Sequence, residues 1–256
     1  MKLAISGKGG VGKTTIAAGL IKFFASQGLR VYAVDADPDA SLGIVLGLPE
    51  EQVESLKPIV DMREVIAKRT GGEGAFFSLN PNVDDLLADY TLEHGNILFF
   101  KMGTVKQAGT TCYCRENAVL NALINSLLLR RQEMVVLDMS AGIEHLTRGT
   151  ARGVDVMLVV TEPSPVSLRT ARVVEGLARE LGISRIKFIA NKVRYPQEEE
   201  LFRQEFQEDL LGILPFEEQV WSGGNLEKPS AFSLALEAVG HHLLAMVQKT
   251  ELNHTY

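Results

Sequence analysis

Between residues 7 and 15 the chain reads GKGGVGKTT, and the glycine spacing of this run leaves few folds open to it. Gly7, Gly12, Lys13 and Thr14 satisfy the pattern G-x-x-x-x-G-K-[ST]. A short apolar run, Lys2 to Ser6, precedes it, and Ile16, Leu20 and Phe23 follow at helical spacing. A strand, a glycine loop and a helix start, in that order, form a phosphate cradle. Glycines allow backbone N–H groups to close around phosphate oxygens, while the helix N-terminus adds positive potential. The predicted cradle comprises Gly7, Lys8, Gly9, Gly10, Val11, Gly12, Lys13, Thr14 and Thr15. Within it Lys13 reaches the terminal phosphates and the Thr14 hydroxyl is placed to ligate Mg2+.

The remaining sequence alternates strand-like and helical runs. Strands are expected at Arg30–Val34, Ile97–Lys101, Glu133–Leu137, Val154–Thr161, Arg185–Ala190 and Leu210–Leu214, with helices at Arg115–Leu129, Pro165–Leu181, Gln197–Phe206 and Ala231–Val247. This βαβα order predicts an α/β fold, a mostly parallel sheet covered by helices on both faces. Residues 1–256 are expected to form one domain, with Glu50 to Leu92 as a surface excursion of unassigned function. Apolar residues make up 46% of the chain, no run reaches the length of a membrane span, and the start lacks signal-peptide features, so a cytoplasmic protein without a membrane partner is expected. A net charge of −6 argues against nucleic acid as a general partner. Two cysteines are too few for a disulfide scaffold.

Two further sites fall at the carboxyl ends of predicted strands, where open α/β sheets bind ligands. Val34-Asp-Ala-Asp-Pro-Asp39 closes the second strand, so Asp35, Asp37 and Asp39 lie there, and a carboxylate at this place can orient an attacking water or hold a magnesium-bound one. Val135-Val-Leu-Asp138 ends an apolar strand on an aspartate, the Walker B arrangement, and Gly142 beyond it supplies a backbone amide able to sense a γ-phosphate.

The second lysine of the loop, Lys8, makes the run KGGVGKTT, which resembles the deviant Walker A family that includes MinD, ParA and the nitrogenase iron protein. The resemblance implies a P-loop ATPase of MinD-like fold and a homodimer that closes on ATP, with Lys8 reaching the partner's nucleotide. Lys8, Lys13 and Asp37 are thereby the catalytic candidates. It also places an adenine contact at Asn191 and Lys192, with a second rim at Leu214, Pro215 and Phe216. ATP rather than GTP is implied because Val193 stands where a GTPase typically carries aspartate.

Cys112 and Cys114, in Thr111-Cys-Tyr-Cys-Arg115, are the chain's two cysteines, and they precede a predicted helix. In an extended segment Cys-x-Cys sends both thiols to one side. A helix N-terminus and Arg115 both lower thiol pKa. Two such pairs brought together in a dimer offer four sulfurs, which suit Zn2+, Ni2+ or an iron–sulfur cluster. The bland alternative is a pair of ordinary cysteines. His145 is near Gly142 and is assigned no metal role.

Taken with CYCRE, VVLDMSAGIEHLTRGTA and LVVTEPSPVS, the phosphate-loop elements resemble the CooC-type ATPases, nickel-insertion proteins for carbon monoxide dehydrogenase. That resemblance runs from Met1 to about Pro215. It implies an ATP- and metal-promoted dimer that holds one nickel or zinc ion through Cys112 and Cys114 of both subunits. Its client would be apo carbon monoxide dehydrogenase or the related acetyl-CoA synthase. The rival is an electron donor like the nitrogenase iron protein, with a dimer-bridging [4Fe–4S] cluster, but there the cysteines stand far apart in the chain. A membrane-positioning ATPase would need a basic amphipathic C-terminal helix, which the segment Gln248 to Tyr256 does not supply.

Overall fold

Runs of Val, Ile, Leu and Phe become the strands because their branched and aromatic side chains fill a pleated surface buried on both faces. The computed structural model describes residues 1–37, 41–59, 61, 90–103, 132–140, 153–221 and 229–252, apart from the side chains of residues 221 and 247–252. In chain order the elements are β1 (Lys2–Gly7), α1 (Lys13–Ser26), β2 (Arg30–Ala36), α2 (Leu42–Val45), α3 (Glu50–Ser55), β3 (Leu92–His94), β4 (Ile97–Lys101), β5 (Glu133–Met139) and β6 (Val156–Thr161). They continue with α4 (Pro165–Glu180), β7 (Ile186–Val193), α5 (Pro196–Phe206), β8 (Leu210–Pro215), α6 (Glu218–Trp221) and α7 (Ala231–Leu252).

The sheet has eight strands in the order β3-β4-β2-β5-β1-β6-β7-β8. Every neighbouring pair is parallel except β3 with β4, which is antiparallel. Period-two alternation divides the core between the two faces. Leu3 and Ile5 pack with Ile16, Leu20, Phe24, Leu236 and Val239 beneath α1 and α7. Ala4, Val135 and Phe188 turn the other way to meet Val174, Ala178, Phe202 and Phe206 of α4 and α5. Phe24, Phe188 and Phe202 are fully buried, and truncating any of them to alanine costs about 3–5 kcal/mol by loss of transfer energy and cavity formation.

The expected strands and the helices at Pro165–Leu181, Gln197–Phe206 and Ala231–Val247 all form, within a residue or two except where β7 runs on to Val193 and α7 to Leu252. One further strand, β3, is not predicted by the sequence pattern. Three residues at Leu92–His94 are too short for a periodicity, but the Gly95-Asn96 pair after them closes a two-residue hairpin onto β4. The expected helix Arg115–Leu129, with Cys112, Cys114, Gly142, His145 and Asp39, lies outside the described residues, as does most of the Glu50–Leu92 excursion.

Candidate functional site

At the carboxyl end of β1 the chain has to reverse into α1 while staying against its neighbours. Gly7 does so with φ +149°, and a Cβ there would lie 2.3 Å from the carbonyl oxygen of Val160, its register partner on β6. Gly12 enters α1 with φ +95°, and a Cβ on it would lie 2.5 Å from Nδ2 of Asn191. Both positions therefore require glycine, for close approach as well as backbone conformation. α1 has no acidic residue in its first turn, and Gly12 has no side chain with which to cap it. The unpaired N–H groups and the dipole leave this end positive and suited to an anion.

Side chains from β7 support the loop. A register shift between Ala190 and Val193, against Ile213 and Pro215 of β8, puts Asn191 and Lys192 in a bulge, with Lys192 at φ +60°. Bulges re-aim side chains, and here both are aimed at the phosphate loop. The Asn191 amide donates to the Val11 carbonyl at 2.8 Å, and Lys192 Nζ donates to the Gly10 carbonyl at 2.6 Å. These are braces of the loop, which leaves a base only a narrow edge of Asn191, a side chain in a residue 5% exposed. On the second expected rim Leu214 is fully buried in the core, so only its backbone can face a ligand. Pro215 and Phe216 are half-buried, and the Arg194 guanidinium lies 3.7 Å from the centre of the Phe216 ring.

Lys13 crosses the loop and donates to the Lys8 carbonyl at 3.3 Å. Burial pushes its pKa down, while the carboxylates of Asp138 and Asp37 pull it back toward the charged form. The register aligns Asp138 of β5 with Ile5 of β1 on one side and Asp35 of β2 on the other. Both aspartates are fully buried. Asp35 accepts from the Leu42 backbone N–H at 2.9 Å and from the Asp37 backbone N–H at 3.2 Å, closing the turn from β2 into α2. Burial nevertheless raises its pKa to about 7, helped by the neighbouring Asp138. Asp138 is raised to about 6, again by burial, although Thr14 and Lys13 favour its charge. Neither of its oxygens completes a hydrogen bond of ordinary geometry among the described residues, and neither does the hydroxyl of Ser140 beyond it.

An orphaned buried carboxylate costs about 1–3 kcal/mol or more, which sites keep when a ligand relieves it. A hydrated magnesium ion is such a ligand, and Thr14 and Asp138 are the residues that fit it. Among the described residues no three His, Cys, Asp or Glu side chains converge on a further metal site.

Structure thus gathers Gly7 to Thr15, Asp37, Asp138, Asn191 and Lys192 at one edge of the sheet. The profile of the CobQ/CobB/MinD/ParA nucleotide binding domain matches residues 2–229. The chain belongs to that family. Within this MinD/ParA group it is similar to the carbon monoxide dehydrogenase accessory protein CooC of Rhodospirillum rubrum, 44% identical over 224 residues that cover 86% of this chain and 85% of the relative. It is also 41% identical over 236 residues to an uncharacterized ATP-binding protein of Methanocaldococcus jannaschii, covering 90% of each. The fold matches the MinD cell division protein of Aquifex aeolicus with a TM-score of 0.69 at 21% identity, over 95% of this chain and 96% of that one. The domain is thus a nucleotide-binding one.

For two residues of this site the sequence shows the place but not the role. Asp35 shares the motif with Asp37, yet its carboxylate is engaged by backbone N–H groups. Glu162 lies within LVVTEPSPVS, where its place at a strand end puts it near the nucleotide without fixing a role; its carboxylate lies 3.7 Å from Lys8 Nζ and 3.1 Å from Lys192 Nζ. The signal available for Glu162 was its place directly after a fully buried strand, at the same edge as the phosphate loop.

Proposed function

We propose that this chain is an ATP-hydrolysing, metal-binding accessory protein that inserts nickel into carbon monoxide dehydrogenase, or into the related acetyl-CoA synthase, during maturation. The observation that carries the reading is the 44% identity to CooC along most of both chains. The cradle supports its ATPase half. Lys13 neutralises charge on the terminal phosphates, and Lys8 of a second copy does so from across a homodimer interface. Asp37 orients the attacking water. Magnesium, held by Thr14 directly and by Asp138 through water, would spread phosphate charge. Hydrolysis acts as the timer of a conformational cycle in a single domain, so slow turnover is expected.

Nickel is the cargo. Cys112 and Cys114 from each of two subunits would hold one Ni2+ or Zn2+, and the closing and opening of the dimer on ATP would load and release it. The test is metal content and delivery together. The protein should bind one nickel per two chains, and nickel should promote dimers without nucleotide. With ATP, the loaded protein should then activate purified nickel-free carbon monoxide dehydrogenase. Cys112→Ser or Cys114→Ser should abolish both binding and activation while leaving ATP affinity near normal. Nickel bound one per monomer in the double serine variant would remove the shared thiolate site. A brown, iron-containing dimer from anaerobic preparation would favour the electron donor.

A further inference from the structure

Glu162 joins the two lysines beside the phosphate loop, and it is held rigidly while doing so. The Ser167 hydroxyl accepts from its backbone N–H at 3.1 Å and meets the Thr161 hydroxyl at 3.0 Å. The Glu162 carbonyl accepts from the Ser164 N–H at 2.7 Å, and the Ser164 hydroxyl caps α4 by accepting from Ser167 N–H at 3.2 Å. From this fixed turn the carboxylate reaches Lys192 at 3.1 Å, and Lys192 is itself bound to the Gly10 carbonyl. The second arm reaches Lys8 at 3.7 Å. The two arms are unequal. Lys192 already neutralises Glu162 at the shorter distance and is anchored to the loop, whereas the Lys8 side chain is 37% exposed and meets Glu162 through the longer contact. The Lys8 contact is therefore the detachable one.

The geometry points to Glu162 as a positioning residue that parks Lys8 on its own chain, so that Lys8 becomes available to a partner's nucleotide only when this pair breaks. This rests on the reading that Lys8 acts across a dimer. Closure of the dimer exchanges a carboxylate in cis for phosphates in trans, and the opposing charge of Glu162 sets how much ATP-bound protein is needed before closure wins. An ion pair this exposed is weak, so it delays closure without preventing it, as a parked group has to.

The experiment measures dimerisation by analytical ultracentrifugation with Mg2+ and a non-hydrolysable ATP analogue, alongside ATP turnover. Glu162→Gln should lower the protein concentration at half-dimerisation by about two- to fivefold, the worth of a partly exposed pair. It should raise turnover similarly at sub-saturating protein, with nucleotide affinity of the monomer unchanged. The shift should disappear in 1 M salt, where the pair is screened, and it should vanish in a Lys8→Ala background, where there is nothing to park. Glu162→Ala, which keeps no polar head, should behave like Glu162→Gln and guards against an effect peculiar to the amide. A shift that persists in 1 M salt or in Lys8→Ala would overturn the proposal, as would turnover that falls at saturating protein, because Glu162 would then act in the closed state. If Lys8→Ala alone leaves dimerisation and turnover intact, the action in trans fails first and the parking role falls with it. If Lys8→Ala is defective but Glu162→Gln shifts nothing, only the parking role is lost.

Discussion

Past β1 in one direction, at the ends of β6 and β7, Glu162, Asn191 and Lys192 each meet a partner on or beside the phosphate loop. Past β1 in the other, at β5 and β2, Asp138 and Asp35 are buried with raised pKa values, and Asp138 has no hydrogen bond of ordinary geometry among the described residues. The first side is built before any ligand arrives, since amide and ammonium groups already satisfy the Val11 and Gly10 carbonyls. The second side stores cost. Charge there is opposed by burial and stabilised by what binds, so the apo protein gives up stability for function on one side of the loop only.

Lys13 belongs to both sides, because it donates to the loop carbonyl of Lys8 and is attracted by Asp138 and Asp37. Lys13→Ala should therefore give the largest effect, weakening ATP binding by about a hundred- to a thousandfold, the scale of losing one preorganised group on developing or fixed phosphate charge. Calorimetric titration would check it, and an affinity within threefold of the parent would separate Lys13 from the cradle.

On the acidic side the comparison sharpens with pH. Asp35 titrates near 7 in the folded chain, above the ordinary 3.8, so the folded state keeps a proton that the unfolded state has lost. Its contribution to stability is full below the unfolded pKa and is lost as pH rises through about 7. Relative to Asp35→Asn, the apo protein should lose about 1–3 kcal/mol between pH 5 and 8, measured by urea unfolding at each pH. The asparagine keeps only one oxygen for the two N–H groups of Asp37 and Leu42, so its absolute stability falls by a constant amount and the slope is the diagnostic. Parallel curves would mean that Asp35 is charged at neutral pH.

The braced side should respond more mildly. Asn191→Ala removes the donor to Val11 and should cost about 1 kcal/mol, a drop of about 2–4 °C in Tm for a chain of this size. An unchanged Tm would show that the brace contributes nothing.

How far the sequence reached differs between the two sides for a physical reason. Asp35 and Asp138 end apolar runs, so their place at the sheet's edge is readable from alternation and strand length alone, as is the cradle from its glycines. The braces depend on a bulge between Ala190 and Val193, and a one-residue irregularity leaves no periodic trace. Hence Asn191 and Lys192 were legible as groups near the nucleotide but not as supports of the loop. Glu162 depends on which strand neighbours β1, since its reach to Lys8 follows from pairing Gly7 with Val160, and strand order is not written in local pattern. β3 was missed because three residues carry too little alternation to be seen.

The claim that joins the two sides is that the carboxyl edge is a half-built nucleotide site, finished on the acidic side by magnesium. Thermal unfolding of the parent and of Asp138→Asn, each with ADP and with or without Mg2+ at pH 8, tests it most directly. The account predicts that the asparagine variant is more stable than the parent when ligand-free, because a buried carboxylate whose charge is opposed by desolvation more than Thr14 and Lys13 support it has been removed, and that Mg2+ raises the Tm of the ADP complex in the parent but far less in the variant. A variant that is less stable when ligand-free and gains as much from Mg2+ as the parent would contradict it.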